Sequence, residues 1–244
     1  NSFDVRMTVV SNGTVYNDKV IALINRYNMA YKVNIGIIPA VAECEDGYRY
    51  ESFADAQVEE NIRQALENLP VVLVSAVFSS SSFRYLPQCV RYFSELGVRH
   101  QFYYPDYSDA WSIEDLEALQ ETFEELTTLY LNFHKFDNPH YINLIDEKIP
   151  LVLNGGYRAS GRFSTEKQRY VFSPQGVLFP DERLVGDGEI NEHALGYVND
   201  NSVGISIKPE SQIYYNNEAC FDCGVADYCK NCTGMISCIH ANEK

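Results

Sequence analysis

Val71-Val72-Leu73-Val74-Ser75-Ala76-Val77-Phe78 is apolar at seven of its eight positions, with no alternation of polar and apolar residues. A short run of this kind predicts a strand that is apolar on both faces, as in the interior of a parallel sheet. The flanking sequence agrees with that reading. Upstream, Ser52 and Asp55 precede a helical stripe of Val58, Ile62, Leu66 and Leu69. The pattern predicts a helix capped by Ser52, with Asp55 completing a capping box. Downstream, Leu86, Val90, Phe93 and Leu96 form a second stripe that Gly97 ends.

Further outward the same alternation repeats. Met7 to Val10 and Lys32 to Ile38 are predicted strands around a helix carrying Val20, Ile21, Ile24 and Tyr27. Val98 to Tyr104 is a fourth strand. Ser112 and Asp115 then open a helix whose stripe is Ile113, Leu116, Leu119, Phe123, Leu126, Leu129 and Phe133. Four strand–helix alternations imply an α/β fold with parallel strands. Four such strands alone leave open edges, so the pattern reads as the later part of a larger barrel or sheet.

Beyond about Ile149 the rhythm changes. Tyr170 to Phe172 and Val177 to Phe179 flank Ser173-Pro174-Gln175-Gly176, which predicts a hairpin with a type I turn. Leu195 to Val198 and Ser202 to Ile207 are further extended pieces. A domain boundary is expected between residues 145 and 150.

The totals exclude several classes. With 34 acidic and 19 basic residues the net charge is −15, a field that repels phosphate backbones, so no nucleic-acid partner is expected. No apolar stretch reaches the ~18 residues of a membrane span, and no signal pattern opens the chain. A reducing cytoplasm is the expected location, and there clustered cysteines bind metal more often than they pair.

Five of the seven cysteines lie in the tail: Cys220, Cys223, Cys229, Cys232 and Cys238. The first four read C-x2-C-x5-C-x2-C. Zinc sites normally join two such pairs through ~12 to 20 residues, so five residues are tight. An odd cysteine total disfavours a disulfide framework. An iron–sulfur cluster accepts ligands from a compact loop and is favoured, with zinc and disulfides as the alternatives. Cys89 falls beside an apolar helical face and reads as a core thiol, and Cys44 lies in a loop.

This combination resembles the radical S-adenosylmethionine enzymes that carry a SPASM or twitch domain, among them anaerobic sulfatase-maturing enzymes and peptide maturases. Val9-Val10-Ser11-Asn12-Gly13-Thr14 is similar to their strand ending in T-N-G-T. Asp46-Gly47-Tyr48-Arg49, Leu96-Gly97-Val98 and Phe102-Tyr103-Tyr104-Pro105 track their middle elements. Ser173 to Pro180 is similar to the hairpin that precedes an auxiliary-cluster cysteine, and Leu195-Gly196-Tyr197-Val198 to the step after it. The chain departs from the pattern where Asp181 replaces a cysteine after that hairpin, and a second expected cysteine before it is missing.

The resemblance implies a partial (βα) TIM-type barrel over residues 1–148 and a SPASM/twitch-like iron–sulfur domain over 149–244. It implies S-adenosyl-L-methionine and a [4Fe-4S] cluster as cofactors. Cys220, Cys223, Cys229 and either Cys238 or Cys232 would hold that cluster; either the family's second auxiliary cluster has been lost or Asp181 is an oxygen ligand in a modified one. Ser11, Asn12 and, more weakly, Asn34 are the cofactor-side candidates. Ser79 to Ser82 lie at the same mouth but read first as turn residues. No acid or base is singled out. The expected partners are a peptide or protein substrate and an electron donor such as a flavodoxin or ferredoxin. Such chemistry also needs a C-x3-C-x2-C triad, which these 244 residues lack. With Asn1 in place of an initiator Met, the chain is expected to be the carboxy-terminal part of a longer enzyme. The alternative is a non-catalytic module in which zinc or an iron–sulfur cluster serves protein interaction.

Overall fold

The computed structural model describes residues 6–37, 39–44, 47–106, 109–155, 171–179, 185–191, 194–199 and 202–205. The chain separates into two compact units, Asn1–Lys148 and Ile149–Lys244.

In the first unit, strands β1 (Thr8–Ser11), β2 (Ala30–Gly36), β5 (Val72–Phe78), β6 (His100–Pro105) and β7 (Tyr141–Ile142) form one sheet, all pairs parallel. The order β1-β2-β5-β6-β7 runs in one direction. Each new strand joins beside the previous one, with no reversal of the kind that defines a doubly wound sheet. Between β2 and β5 the chain makes an antiparallel ribbon of β3 (Ala40–Cys44) and β4 (Gly47–Ser52).

Helices α1 (Asp18–Tyr27), α2 (Ala56–Asn68), α3 (Leu86–Leu96) and α4 (Ile113–Lys135) form the crossovers. Their caps follow local chemistry. Asn17 Oδ1 accepts from the Lys19 and Val20 amides, and Ser112 and Asp115 form a reciprocal capping box. Helix α2 differs from expectation. Its cap is Asp55, which accepts from Gln57 N, whereas Ser52 ends β4 and its Oγ accepts from Ala54 N at 3.0 Å. The period-3.6 stripe is the same for either cap, so the pattern placed the helix but not its first turn.

Register explains the core. Rows Val9–Tyr31–Val72, Ser11–Val33–Val74–Gln101–Ile142 and Ile35–Ala76–Tyr103 face the helices. They pack with Ile24, Val58, Ile62, Ala65, Leu86, Cys89, Val90, Phe93 and Leu126. Buried Gln101 is satisfied: its amide donates to the Val90 and Val98 carbonyls, and Tyr103 Oη donates to its oxygen at 2.7 Å. Cys89 is the expected core thiol, and burial pushes its pKa up to about 12. The long α4 stripe is only partly realised. Of the stripe only Leu126 is buried, the other buried residues of the helix, Thr122 and Tyr130, lie outside it, and Ile113 is 72% exposed.

The fifth strand, β7, was not expected from sequence because only two of its residues pair. The Asn143 side chain extends it: Oδ1 accepts from Tyr103 N at 2.7 Å and Nδ2 donates to Tyr103 O at 3.0 Å. A carboxamide thus replaces the next rung of the ladder.

The second unit contains α5 (Ile149–Leu153) and a four-stranded antiparallel sheet. Strands β8 (Val171–Phe172) and β9 (Val177–Phe179) form the expected hairpin, closed by Gly176 N donating to Ser173 O at 2.9 Å. Strands β10 (Gly196–Asn199) and β11 (Ser202–Ile205) extend it. No helix among the described residues is long and apolar enough to cross a membrane.

His140, 2% exposed, stacks on Phe133 with ring centroids 4.1 Å apart. Its Nδ1 lies 2.7 Å from Asn138 O, and Nε2 lies 3.4 Å from an Arg99 guanidinium nitrogen, an arrangement that suits the neutral ring. Burial first, and the Arg99 cation among lesser causes, hold its pKa below the ordinary range. The unfolded chain therefore takes up a proton as pH falls through roughly 6.5 while the folded chain resists it, so stability decreases in that direction. Urea denaturation between about pH 7.5 and pH 5.5 should show this loss, and His140→Gln should flatten the slope. An unchanged slope would refute the assignment.

Candidate active site

Parallel strands place their carboxyl ends along one edge, where βα architectures assemble their sites. Here that edge carries Ser11 to Thr14, Gly36, Ser79 to Ser82 and Asp106. The sheet face turned away from the helices is the second part of the site. It is built from the alternate rows Val10–Lys32–Leu73–His100–Tyr141, Asn34–Ser75–Phe102 and Gly36–Val77–Tyr104. The apolar run of β5 predicted burial on both faces. The helix-free face departs from that, with Val77 51% exposed and Val10 57% exposed on β1.

Aromatic rings dominate one side of this face. Phe102 and Tyr141 pack with centroids 5.4 Å apart. Lys32 Nζ lies 4.8 Å from the Phe102 centroid and 5.4 Å from that of Tyr104, in cation–π geometry. Lys32 is on β2 and both rings are on β6, so its stem crosses the intervening strand β5.

The sequence-derived candidates fall in different places. Asn34 is exposed on the helix-free face and accepts a hydrogen bond at Oδ1 from Ser75 Oγ. Ser11 pairs in register with core residue Val33 and so lies on the helix side; its Oγ accepts from Gly13 N at 3.0 Å. Asn12 Oδ1 accepts from Thr14 N at 3.1 Å and Thr14 Oγ1 at 2.8 Å. Ser11 and Asn12 therefore shape the turn after β1, and Ser11 does not share a face with Asn34.

Ser79 to Ser82 form a turn. Ser79 N donates to Ser82 Oγ at 2.9 Å and Ser80 N to Asp109 Oδ2 at 2.6 Å. The Ser80 hydrogen bonds hold the Asp109 carboxyl below its usual range. Cys220, Cys223, Cys229, Cys232, Cys238 and Asp181 lie outside the described residues.

Three contributors were missed from sequence. Asn61 sits on the buried stripe of α2 and its Nδ2 donates to Gly13 O at 2.7 Å, pinning the mouth turn from below. An asparagine among Val58, Ile62 and Ala65 was the available signal. Ser75, the one polar residue of the β5 run, carried a similar signal. The β3–β4 ribbon left none, because its strands alternate too briefly.

No protein-family model and no curated protein matches the sequence. Solved structures do match its fold. Native anSMEcpe with bound AdoMet superposes with a TM-score of 0.63 at 14% identity, covering 92% of this chain and 64% of that one. The same protein with bound AdoMet and the Cp18Cys peptide gives 0.60. Streptococcus suis SuiB bound to S-adenosylmethionine gives 0.55 at 9% identity, covering 97% of this chain and 56% of that one. The chain therefore spans less than two thirds of the length of these structures, and at such identities the likeness establishes a shared fold.

Gly13 has φ +77°, and a Cβ there would lie 2.7 Å from Val33 Cγ1 and 2.9 Å from Val58 Cγ1. Gly97 also has a positive φ, but its nearest neighbour would be 3.8 Å away. Gly13→Ala should therefore cost about 2–4 kcal/mol, against about 1 kcal/mol for Gly97→Ala. Equal losses by thermal denaturation would show that the mouth turn is not tightly packed.

Proposed function

We propose that this chain carries the cofactor- and substrate-facing part of a radical S-adenosylmethionine enzyme that modifies a peptide or protein side chain, with an auxiliary [4Fe-4S] cluster in its tail. The single observation that carries the reading is the fold. Its one-directional parallel sheet belongs to a fold that superposes on structures with bound AdoMet, one of them also holding a peptide.

The residues present fit both groups. The open face combines a carboxamide, a bare glycine backbone and half-exposed apolar side chains, which suits a ligand with an apolar ring system and acceptor oxygens. Five thiols within so short a run are a soft donor set suited to an iron–sulfur centre. S-adenosylmethionine, when bound and reduced by one electron, supplies a radical able to abstract hydrogen from a substrate.

The chain's own part is positional. Asn34 and Asn12 offer amide donors at the mouth, and Ser11 sets the turn. Val77, Phe102 and Tyr104 line the face with half-exposed apolar surface. In this reading Cys220, Cys223, Cys229 and Cys238 or Cys232 would hold the auxiliary cluster, and Asp181 would be an oxygen ligand only of a modified second cluster. A flavodoxin or ferredoxin would deliver the electron.

The absence of a C-x3-C-x2-C triad from these 244 residues favours a second reading, a non-catalytic metal-binding module that engages another protein. Anaerobic purification with metal and sulfide analysis separates the two. Stoichiometric iron and sulfide with a broad visible band is the expected result, and paired Cys220→Ala and Cys223→Ala substitutions should bleach it. A colourless protein with one zinc would establish the second reading. Reading the coding sequence in frame with Asn1 tests whether a triad belongs to the same polypeptide.

A further inference from the structure

Asn34 and Ser75 are direct register partners on adjacent parallel strands, so both side chains leave the sheet on the helix-free face. Their environments differ sharply. Ser75 is 2% exposed, whereas Asn34 is exposed. The Ser75 hydroxyl donates to Asn34 Oδ1. A carboxamide has one accepting and one donating end, and engaging the oxygen decides which end is presented. Among the described residues Asn34 Nδ2 has no hydrogen-bond partner.

Asn12, one residue past the Ser11–Val33 register pair and so level with Asn34, is held alike. Its oxygen accepts from Thr14 N and Thr14 Oγ1, which leaves its amino group as the presented end. Asn12, just past β1, and Asn34, within the carboxyl half of β2, thus both have their oxygens engaged by local donors.

We propose that Ser75 is a positioning residue that fixes the Asn34 carboxamide with its amino group toward the mouth. The site then selects a ligand presenting acceptor oxygens there, such as the hydroxyl or carboxylate oxygens of S-adenosylmethionine. The proposal rests on the reading of Asn34 as a cofactor-side residue. Ser75 touches the ligand nowhere and acts only through Asn34. Ser75 is buried, so its hydroxyl has few partners besides Asn34 Oδ1, and that bond favours one orientation of the amide.

A double-mutant cycle on the full protein tests it, with S-adenosylmethionine titrated by calorimetry and thermal midpoints recorded for every variant. Asn34→Ala should weaken binding about 10-fold and Ser75→Ala about 3- to 10-fold, the range of one hydrogen bond. In the Asn34→Ala background, Ser75→Ala should have no further effect. Asn34→Asp keeps the acceptor for Ser75 but replaces the amino group by an oxygen, and should weaken binding at least as much as Asn34→Ala. If Asn34→Ala weakens binding but Ser75→Ala does not, or does so equally in both backgrounds, the positioning role is overturned while the cofactor reading stands. If Asn34→Ala binds normally, the cofactor reading fails and takes this proposal with it.

Discussion

The pairing of β5 with β2 on one edge and β6 on the other is the constraint from which the first unit follows. Every β5 residue is in register with a partner, from Val72 against Tyr31 to Phe78 against Pro105. Because side chains alternate, Val72, Val74, Ala76 and Phe78 face the helices, while Leu73, Ser75 and Val77 face away. A slip of one residue would exchange these sets, placing Ser75 in the core and Phe78 on the open face. It would also break the Ser75–Asn34 contact. One register therefore specifies both the core and the arrangement of the candidate site.

The mouth is held by small polar groups rather than by further apolar burial. Within a four-residue turn Ser11 Oγ accepts from Gly13 N, and Asn12 Oδ1 accepts from Thr14 N and Thr14 Oγ1. Asn61 secures the turn from α2 through the Gly13 carbonyl. The Asn61–Gly13 bond is buried, and a buried polar group is costly unless paired, so this bond ties the turn to α2 in one geometry. Below the sheet, His140 and Gln101 follow the same logic. The polar interior thus confers precision at the carboxyl edge without enlarging the core.

The functional reading draws on two kinds of support with different reach. The likeness to AdoMet-bound structures reaches across most of this chain but concerns fold, at identities of 14% and 9%. The cysteine spacing concerns chemistry and lies outside the described residues. Both support the proposed reading, one through the architecture and the other through a soft thiol donor set. The second unit adds an antiparallel sheet whose Ser173–Gly176 turn follows directly from its residues.

By itself the sequence determined what depends on nearest neighbours along the chain: α1 by its stripe, α3 with its Gly97 stop, α4 with its Ser112–Asp115 cap, the parallel character of the β5 run, the β8–β9 turn, and Cys89 as a core thiol. Periodicity and capping are local properties, and residues three or four apart report them directly. Tertiary structure alone decided the rest. It moved the α2 cap from Ser52 to Asp55, completed β7 through the Asn143 side chain, inserted the β3–β4 ribbon, and put Ser11 and Asn34 on opposite faces. Each of these turns on register between strands far apart in the chain. Ser75 reads as one polar residue in an apolar run until β2 is laid beside it, and only then does it acquire Asn34 as a partner.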